Sequence, residues 1–443
     1  MDELAFGLNT FYFVVMGALV MWMAAGFTML EAGLVRKKNT AEIVTKNIGL
    51  YSIACTMFMI CGYSALYAAS GNGVMPEFTF DFMNAEPGST EVEYVDGAVY
   101  AAGASDFFFQ VVFVATAVSI ISGAVAERMN QWPFFALAAF VAGFVYPVQG
   151  YWNWGGGFLK TAVEDGGYGY VDFAGSGTVH LLGGACALAA AIFIGPRMGK
   201  YGKVTGKLAG LFPKAKTNKL YGANMPIAAL GTFILWLGWF GFNGGSWLSV
   251  HTAEAAHGFS QVVMNTNAAA AGGVIACLLV ARIFFKKTNL IYALNGAIGG
   301  LVAITAGPDT PTVFEATMIG AVGGLLCYGS LVAFEQFFKI DDPVGAISAH
   351  GTAGIFGVMV VPLTNEGATF MGQAAGVASI AVWGFVLTYA FLFLLNYLAP
   401  VTASEAIQKK GLDAEEIGIE AYPEFQLSMS EKRSVIPPML PLI

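Results

Sequence analysis

Charge is scarce in this chain: Lys, Arg, Asp and Glu make up 11% of 443 residues, and histidine occurs only 4 times. So little charge cannot clothe a water-facing surface. A hydrophobic share of 56% and a mean hydropathy of +0.65 carry the chain outside the soluble range. The long apolar runs also lack the apolar–polar alternation of a membrane barrel, which excludes that class. Cysteine is confined to Cys55, Cys61, Cys186, Cys277 and Cys327, all inside apolar runs, which argues against an extracellular disulfide framework and for packing. The opening MDELAFGLNT lacks the basic region of a signal peptide, so the first apolar run is expected to stay as a span. A net charge of -8 implies no nucleic-acid partner.

What the chain has in abundance is apolar stretches of about 20 residues, each long enough to cross a hydrocarbon core of roughly 30 Å as a helix. Eleven are read, near 10–31, 47–70, 107–126, 132–151, 172–194, 225–245, 258–281, 289–306, 312–337, 344–363 and 371–398. The expected class is an all-α membrane protein. Positive charge marks connections retained in the cytoplasm. VRKKN at 35–39 and the connection bearing Arg197, Lys200, Lys203, Lys207, Lys214, Lys216 and Lys219 are therefore placed there. The connection at 71–106 holds Glu77, Asp81, Glu86, Glu91, Glu93, Asp96 and Asp106 without a basic residue, and is placed outside. An odd number of spans then puts the N-terminus outside and the C-terminus inside a cell membrane. Residues 1–398 form the transport domain in this reading. Residues 399–443, polar and mixed in charge, form a cytoplasmic tail that is partly ordered at most.

Two of the spans carry a matched pair of ionisable residues. DFAGSGTVH places His180 eight positions after Asp172, and DDPVGAISAH places His350 eight positions after Asp342. The two spans run in opposite directions, so each imidazole lies roughly 12 Å in from an opposite face, at about 1.5 Å per residue. Their depths then differ by only about 6 Å in a core of about 30 Å. If the helices are neighbours, the rings meet near the midplane. The opposed pair also points to an inverted repeat, spans one to five against six to ten with the eleventh left over. Gly183, Gly184, Gly351 and Gly354 would allow a close crossing there. A satisfied core histidine explains one such residue more easily than a matched pair, because ionisable groups inside spans are costly and usually functional. Without a third ligand at suitable spacing the pair is a weak metal site, and neither metal nor cofactor is expected. A membrane-embedded enzyme would need a nucleophile or third ligand at matching depth, and none is found. In apolar surroundings the rings should be neutral, one donating to the other. Asp172 and Asp342 sit at helix starts, where a carboxylate caps free N–H groups and also supplies negative potential to an approaching cation.

Trp154 and Ser246 fall at the outer ends of their spans in YWNWGGG and WFGFNGGS. An indole face attracts a cation by about 0.5–2 kcal/mol, and a hydroxyl oxygen accepts an N–H bond. Together they could hold a small ammonium-like ion, although Trp at this depth also serves the interfacial aromatic belt. Phe113 and Phe242, taken singly, read equally well as packing residues.

Taken in order, GFTMLEAGLVRKKN (26–39), FQVVFVATAVSIISGAVAERM (109–129), WGGG (154–157), DFAGSGTVH (172–180), GWFGFNGGS (238–246), NGAIGGLVAITAG (295–307), DDPVGAISAHGTAGIFG (341–357) and GLDAEEIGIEAYPEF (411–425) resemble the Amt/Mep/Rh ammonium transporters, Amt branch, over nearly the whole chain. The resemblance implies the ammonium transporter fold: eleven helices with a 5+5 inverted repeat plus a C-terminal helix, assembled as a homotrimer with one pore per subunit. It implies a recruitment site at Trp154, Ser246 and Phe113 with Asp172 nearby, and a gate of Phe113 over Phe242 with Phe109 and Gln110 beside it. The pore is then lined by His180 and His350, and Asp342 is an inner structural carboxylate. The tail resembles the family's regulatory C-terminus, which implies docking of a PII-type signal protein. Three departures stand out. Gly345 occupies the place, five residues before the second histidine, where the family commonly has aspartate. Ile417 replaces a histidine common in the tail motif, and the acidic connection at 71–106 aligns with no family segment.

Potassium matches ammonium in charge and size, so cation–π attraction alone separates them poorly. Ammonium can shed a proton, and ammonia crosses an apolar lumen without the ionic desolvation cost, ideally near 20 kcal/mol. The expected function is therefore recruitment of NH4+, with methylammonium as an analogue, followed by deprotonation and passage of ammonia with or without the proton. A sensor of the same fold with little transport is the alternative. An Rh-like gas channel should lack Trp154 and Ser246.

Overall fold

The computed structural model describes residues 1–80, 89, 91–160, 166–202 and 215–423. Asp81 and Glu86 of the acidic connection, Lys203, Lys207 and Lys214 of the basic one, and the tail beyond 423 lie outside the described residues.

Nine described helices are long and apolar enough to cross a bilayer: α1 (Asp2–Leu34), α2 (Lys37–Leu66), α3 (Gly103–Val125), α4 (Gln131–Asn153), α5 (Ser176–Ile194), α6 (Met225–Gly245), α7 (Ala253–Phe285), α9 (Val313–Phe338) and α11 (Phe370–Leu398). Two shorter apolar helices, α8 (Leu290–Ile304) and α10 (Ile347–Leu363), bring the number to the eleven expected. The chain is thus a multi-pass all-α membrane protein. Bounds differ from the apolar runs where polar residues extend a helix beyond lipid: Thr252 accepts from Ala255 N at 3.0 Å and starts α7 ahead of its apolar stretch. In α5 the difference is reversed. Asp172–Gly175 form the cap, and the helix begins at Ser176.

The centre of the molecule is α3, buried along nearly its whole length, with α1 and α5 packed against it. α1 also packs closely along α6, and α7, α8 and α9 form a mutually packed group. Small residues make this closeness possible. A Cβ at Gly184 of α5 would lie 2.5 Å from Gly351 Cα of α10, so the two histidine-bearing helices cross almost backbone to backbone.

The acidic connection contains a hairpin, β1 (Tyr94–Val95) with β2 (Ala98–Val99). Its turn, Asp96-Gly97, has both residues at positive φ, 51° and 80°, as a two-residue hairpin turn requires. At the opposite end the tail does not hang free. Asn130 N donates to Val401 O at 3.0 Å and Ala403 N to Arg128 O at 2.8 Å, before the short helix α12 (Glu405–Lys410). Beyond it, Asp413 Oδ1 accepts from Glu42 N at 2.8 Å and Glu416 Oε2 from Gln131 N at 2.8 Å. Tail carboxylates therefore cap the first turns of α2 and α4. The tail is ordered and docked through residue 423, more than its polar composition alone suggests.

Candidate functional site

A column of rings runs down the interior. Trp154 meets Phe113 edge-on with centroids 6.2 Å apart. Phe113 stacks on Phe242 at 4.0 Å and 27°, and Phe109 abuts Phe113 at 4.8 Å. Phe242 stacks on His180 at 5.3 Å, and His180 on His350 at 5.1 Å and 26°. Phe113, Phe242, His180 and His350 are each 3% exposed or less. The two imidazoles join through their Nδ1 atoms, 3.2 Å apart, so one ring donates and the other accepts. The matched spacing thus brings its two histidines together, face to face and away from lipid.

The same local device positions each histidine. Asp172 Oδ2 accepts from Gly177 N at 3.0 Å and Thr178 N at 2.8 Å, while Asp342 accepts from Gly345 N at 3.0 Å and Ile347 N at 2.7 Å. Three residues after each aspartate stands a left-handed glycine, Gly175 at φ 107° and Gly345 at φ 84°. A widened π turn follows in each, Ser176–Leu181 and Ile347–Thr352, and each contains its histidine. Repetition of aspartate, left-handed glycine, π turn and histidine in α5 and α10 is the clearest trace of the inverted repeat.

Above the phenylalanine pair lies a cavity of about 550 Å³, lined by Phe113, Trp154, Ser246, Gln110, Tyr100 and Asp106 among others. Trp154 Nε1 donates to Asp172 O at 3.1 Å, so the capping aspartate also orients the indole through its carbonyl. Asp172 Oδ1 has no partner among the described residues. Ser246 Oγ donates to Phe242 O at 2.9 Å, which leaves its lone pairs for another donor. The hairpin side of the cavity is held by Asp106, which accepts from Tyr63 OH at 2.5 Å and Tyr100 OH at 3.0 Å.

Asp342 stands apart from this cluster, at the tail-facing end. Pocket walls there include Asp342, Gly345 and Ser348. Beneath them Arg197 joins two carboxylates: Nη1 reaches Glu127 at 2.6 Å, and Nε and Nη2 grip Asp341 at 2.8 and 2.9 Å. Arg36 also pairs with Glu127, and Arg128 Nη2 donates to Asp341 O at 2.6 Å.

Several participants were not singled out in the sequence. Trp239 stacks on His180 at 5.0 Å and is fixed by Nε1 donating to Thr305 at 2.8 Å. Its place three residues before Phe242 on one helix face was the available signal. Phe27 approaches His350 at 5.9 Å, and Glu31, one turn on, is 1% exposed. An acid inside the apolar run GFTMLEAG was a visible anomaly. Among the described residues no group of three or more His, Cys, Asp or Glu gathers as a metal cluster.

Comparison with known proteins gives this geometry a context. The model of the Ammonium Transporter Family matches residues 11–422. The chain is 33% identical to ammonium transporter Amt2 of Archaeoglobus fulgidus, covering 94% of this chain and 89% of that one. It is 35% identical to a putative ammonium transporter of Synechocystis, with coverage of 94% and 89%. Among solved structures, one described as a sensor Amt protein is 32% identical with a TM-score of 0.82, covering 94% of this chain and 100% of that one. Candida albicans Mep2 follows the same path at 25% identity and a TM-score of 0.74, covering 92% and 88%. A match that begins in α1, takes in all the ring-bearing helices and ends in the docked tail leaves one assignment: the chain belongs to the ammonium transporter family.

Proposed function

We propose that the protein recruits NH4+ from outside the cell, strips its proton below a phenylalanine gate, and passes ammonia along the histidine pair toward the cytoplasm. The observation that carries this reading is the buried Nδ1–Nδ1 contact of 3.2 Å between His180 and His350, directly beneath stacked Phe113 and Phe242.

A cation arriving in the cavity meets the indole of Trp154 and the free lone pairs of Ser246. Asp172, with one carboxylate oxygen unpartnered, adds negative potential close by. The indole face contributes about 0.5–2 kcal/mol. None of this separates ammonium from potassium, which carries the same charge. The closed phenyl pair and the apolar lumen do, because potassium can cross only as an ion whose desolvation several kcal/mol of attraction cannot offset. Phe109 and Gln110 flank the gate from α3.

In this reading the acidic connection faces outward, and the tail, with the VRKKN connection it covers, faces the cytoplasm. The docked tail is then the surface for a PII-type signal protein, and the subunit assembles as a homotrimer with one pore each. The likeness to a sensor Amt protein supports a second reading, in which the same site binds ammonium and reports it with little transport.

Reconstituted protein tests both. Ammonium-evoked current or methylammonium uptake should appear in proteoliposomes, with potassium giving neither. His180→Asp, which places a carboxylate in the column, should admit potassium current of the same order as ammonium current. Selectivity equal to the parent's would sink the deprotonation filter. Binding without uptake by the parent would favour the sensor.

A further inference from the structure

We propose that Glu31 is the proton acceptor on the tail side of the histidine pair, taking up the proton that ammonium gives to the imidazoles. The inference rests on the histidine-pair reading above and names a residue that reading does not use.

Glu31 sits in the last turn of α1 and is 1% exposed, the one charged side chain of that helix beyond its first turn. Ionisable side chains at such positions are costly and persist where they act on a substrate or proton path. It lines a small void of about 10 Å³ together with His350, Ser119 and Asn295, the remaining walls being apolar. That is close to the lower limit for one water molecule, and His350, Glu31, Ser119 and Asn295 supply the two to four polar partners a water needs. Because the histidines spend their Nδ1 atoms on one another, Nε2 of His350 is the nitrogen left to address this void.

The carboxylate is held in place from its other side. Ser122 Oγ donates to Oε1 at 2.6 Å and Asn47 Nδ2 to Oε2 at 2.8 Å, leaving each oxygen a lone pair. Gly123 makes room, since a Cβ there would stand 3.1 Å from Oε1. Beyond Asn47, α2 carries a fully buried ion pair, Lys46 Nζ with Glu42 Oε1 at 2.6 Å, and Asp413 of the tail binds Glu42 N. Further ionisable groups therefore stand beyond Asn47, on α2 and on the tail.

The step balances as a proton relay. Imidazolium His350 gives its Nε2 proton to the water, and the water gives one of its own to Glu31. His350 ends neutral, Glu31 ends as the acid, and Glu31 later releases the proton to the tail side. Ammonia stays uncharged throughout.

A purely structural Glu31 would tie α1, α2 and α3 through Ser122 and Asn47, a task glutamine performs with the same shape. The test is the ratio of charge to nitrogen moved, from ammonium- or methylammonium-evoked current and labelled methylammonium uptake in the same proteoliposomes. Glu31→Gln should lower that ratio at least ten-fold, and Glu31→Asp, whose carboxylate is set back by one methylene, should lower it less. An unchanged ratio in Glu31→Gln overturns the assignment whatever the absolute rates. Should Glu31→Gln fail to assemble, Glu31→Asp decides: current slowed more than uptake supports the relay, equal slowing overturns it. A parent that moves methylammonium without charge also overturns it and leaves the transport reading intact. A parent that moves neither sinks the transport reading itself.

Discussion

At position 345 a glycine stands where the family resemblance leads one to expect aspartate, and the backbone explains which side chains could follow. Gly345 has φ 84°, and an added Cβ would meet Asn295 Oδ1 at 2.7 Å. Aspartate is one of the few L-residues that visits this region, because its short polar side chain bonds locally, whereas a β-branched residue there is a genuine outlier. The glycine therefore suits the left-handed backbone of the turn and brings no carboxylate to it. Gly345→Asp should assemble at a cost of about 1–2 kcal/mol, and Gly345→Val should lose a further ~1–3 kcal/mol. Melting midpoints in detergent would rank parent, aspartate and valine in that order; a valine variant as stable as the aspartate one would contradict the strained geometry. The departure itself was legible in the sequence, but the left-handed backbone at this position was not, since φ at one residue is set by the capping bonds around it.

The repeated element shows where sequence reading succeeds and stops. Spacing alone placed His180 and His350 at similar depths in opposed helices, and the two glycines after the first histidine signalled a close crossing. The π turns were invisible, because they depend on how α5 and α10 fit at Gly184 and Gly351 rather than on any local residue preference. Trp239 was hidden for a related reason: an apolar side chain declares its partner only once helices pack. The two caps also differ in what they reach. Asp342 caps its turn and is absent from the walls of the upper cavity, whereas Asp172 additionally holds Trp154 through its backbone carbonyl and keeps an unpartnered, buried Oδ1. Replacing either by alanine leaves two backbone donors unsatisfied and should destabilise by about 1–3 kcal/mol. Only Asp172→Ala should also weaken the half-saturating ammonium concentration for transport, by several-fold. Equal shifts in both variants would remove Asp172 from recruitment and leave it a cap.

For the molecule as a whole, the tail-facing end is joined by charge as well as by apolar packing. Arg197, which in the sequence served only to orient the chain, bridges Glu127 from the first half to Asp341 from the second. Glu127 also takes Arg36 and Asn39, and Asn39 in turn receives Leu412 N from the tail at 3.0 Å. Loss of one partner would strand a buried charge, so Asp341→Asn should cost on the order of 3 kcal/mol at neutral pH. The pH dependence has a defined sign. Burial pushes the Asp341 carboxyl up, but the Arg197 guanidinium, aided by Arg128, outweighs it and holds the group below the usual carboxylate range. A depressed folded-state value means the stabilisation is complete above the unfolded carboxylate's value, about 3.9, and is lost as pH falls through the folded one. The gap in melting midpoint between parent and Asp341→Asn should thus stay constant from pH 7 to about 5 and narrow only below about 4. A gap that closes between pH 7 and 5 would mean Asp341 is not held ionised by Arg197. The two halves and the tail would then be joined mainly by their apolar contacts.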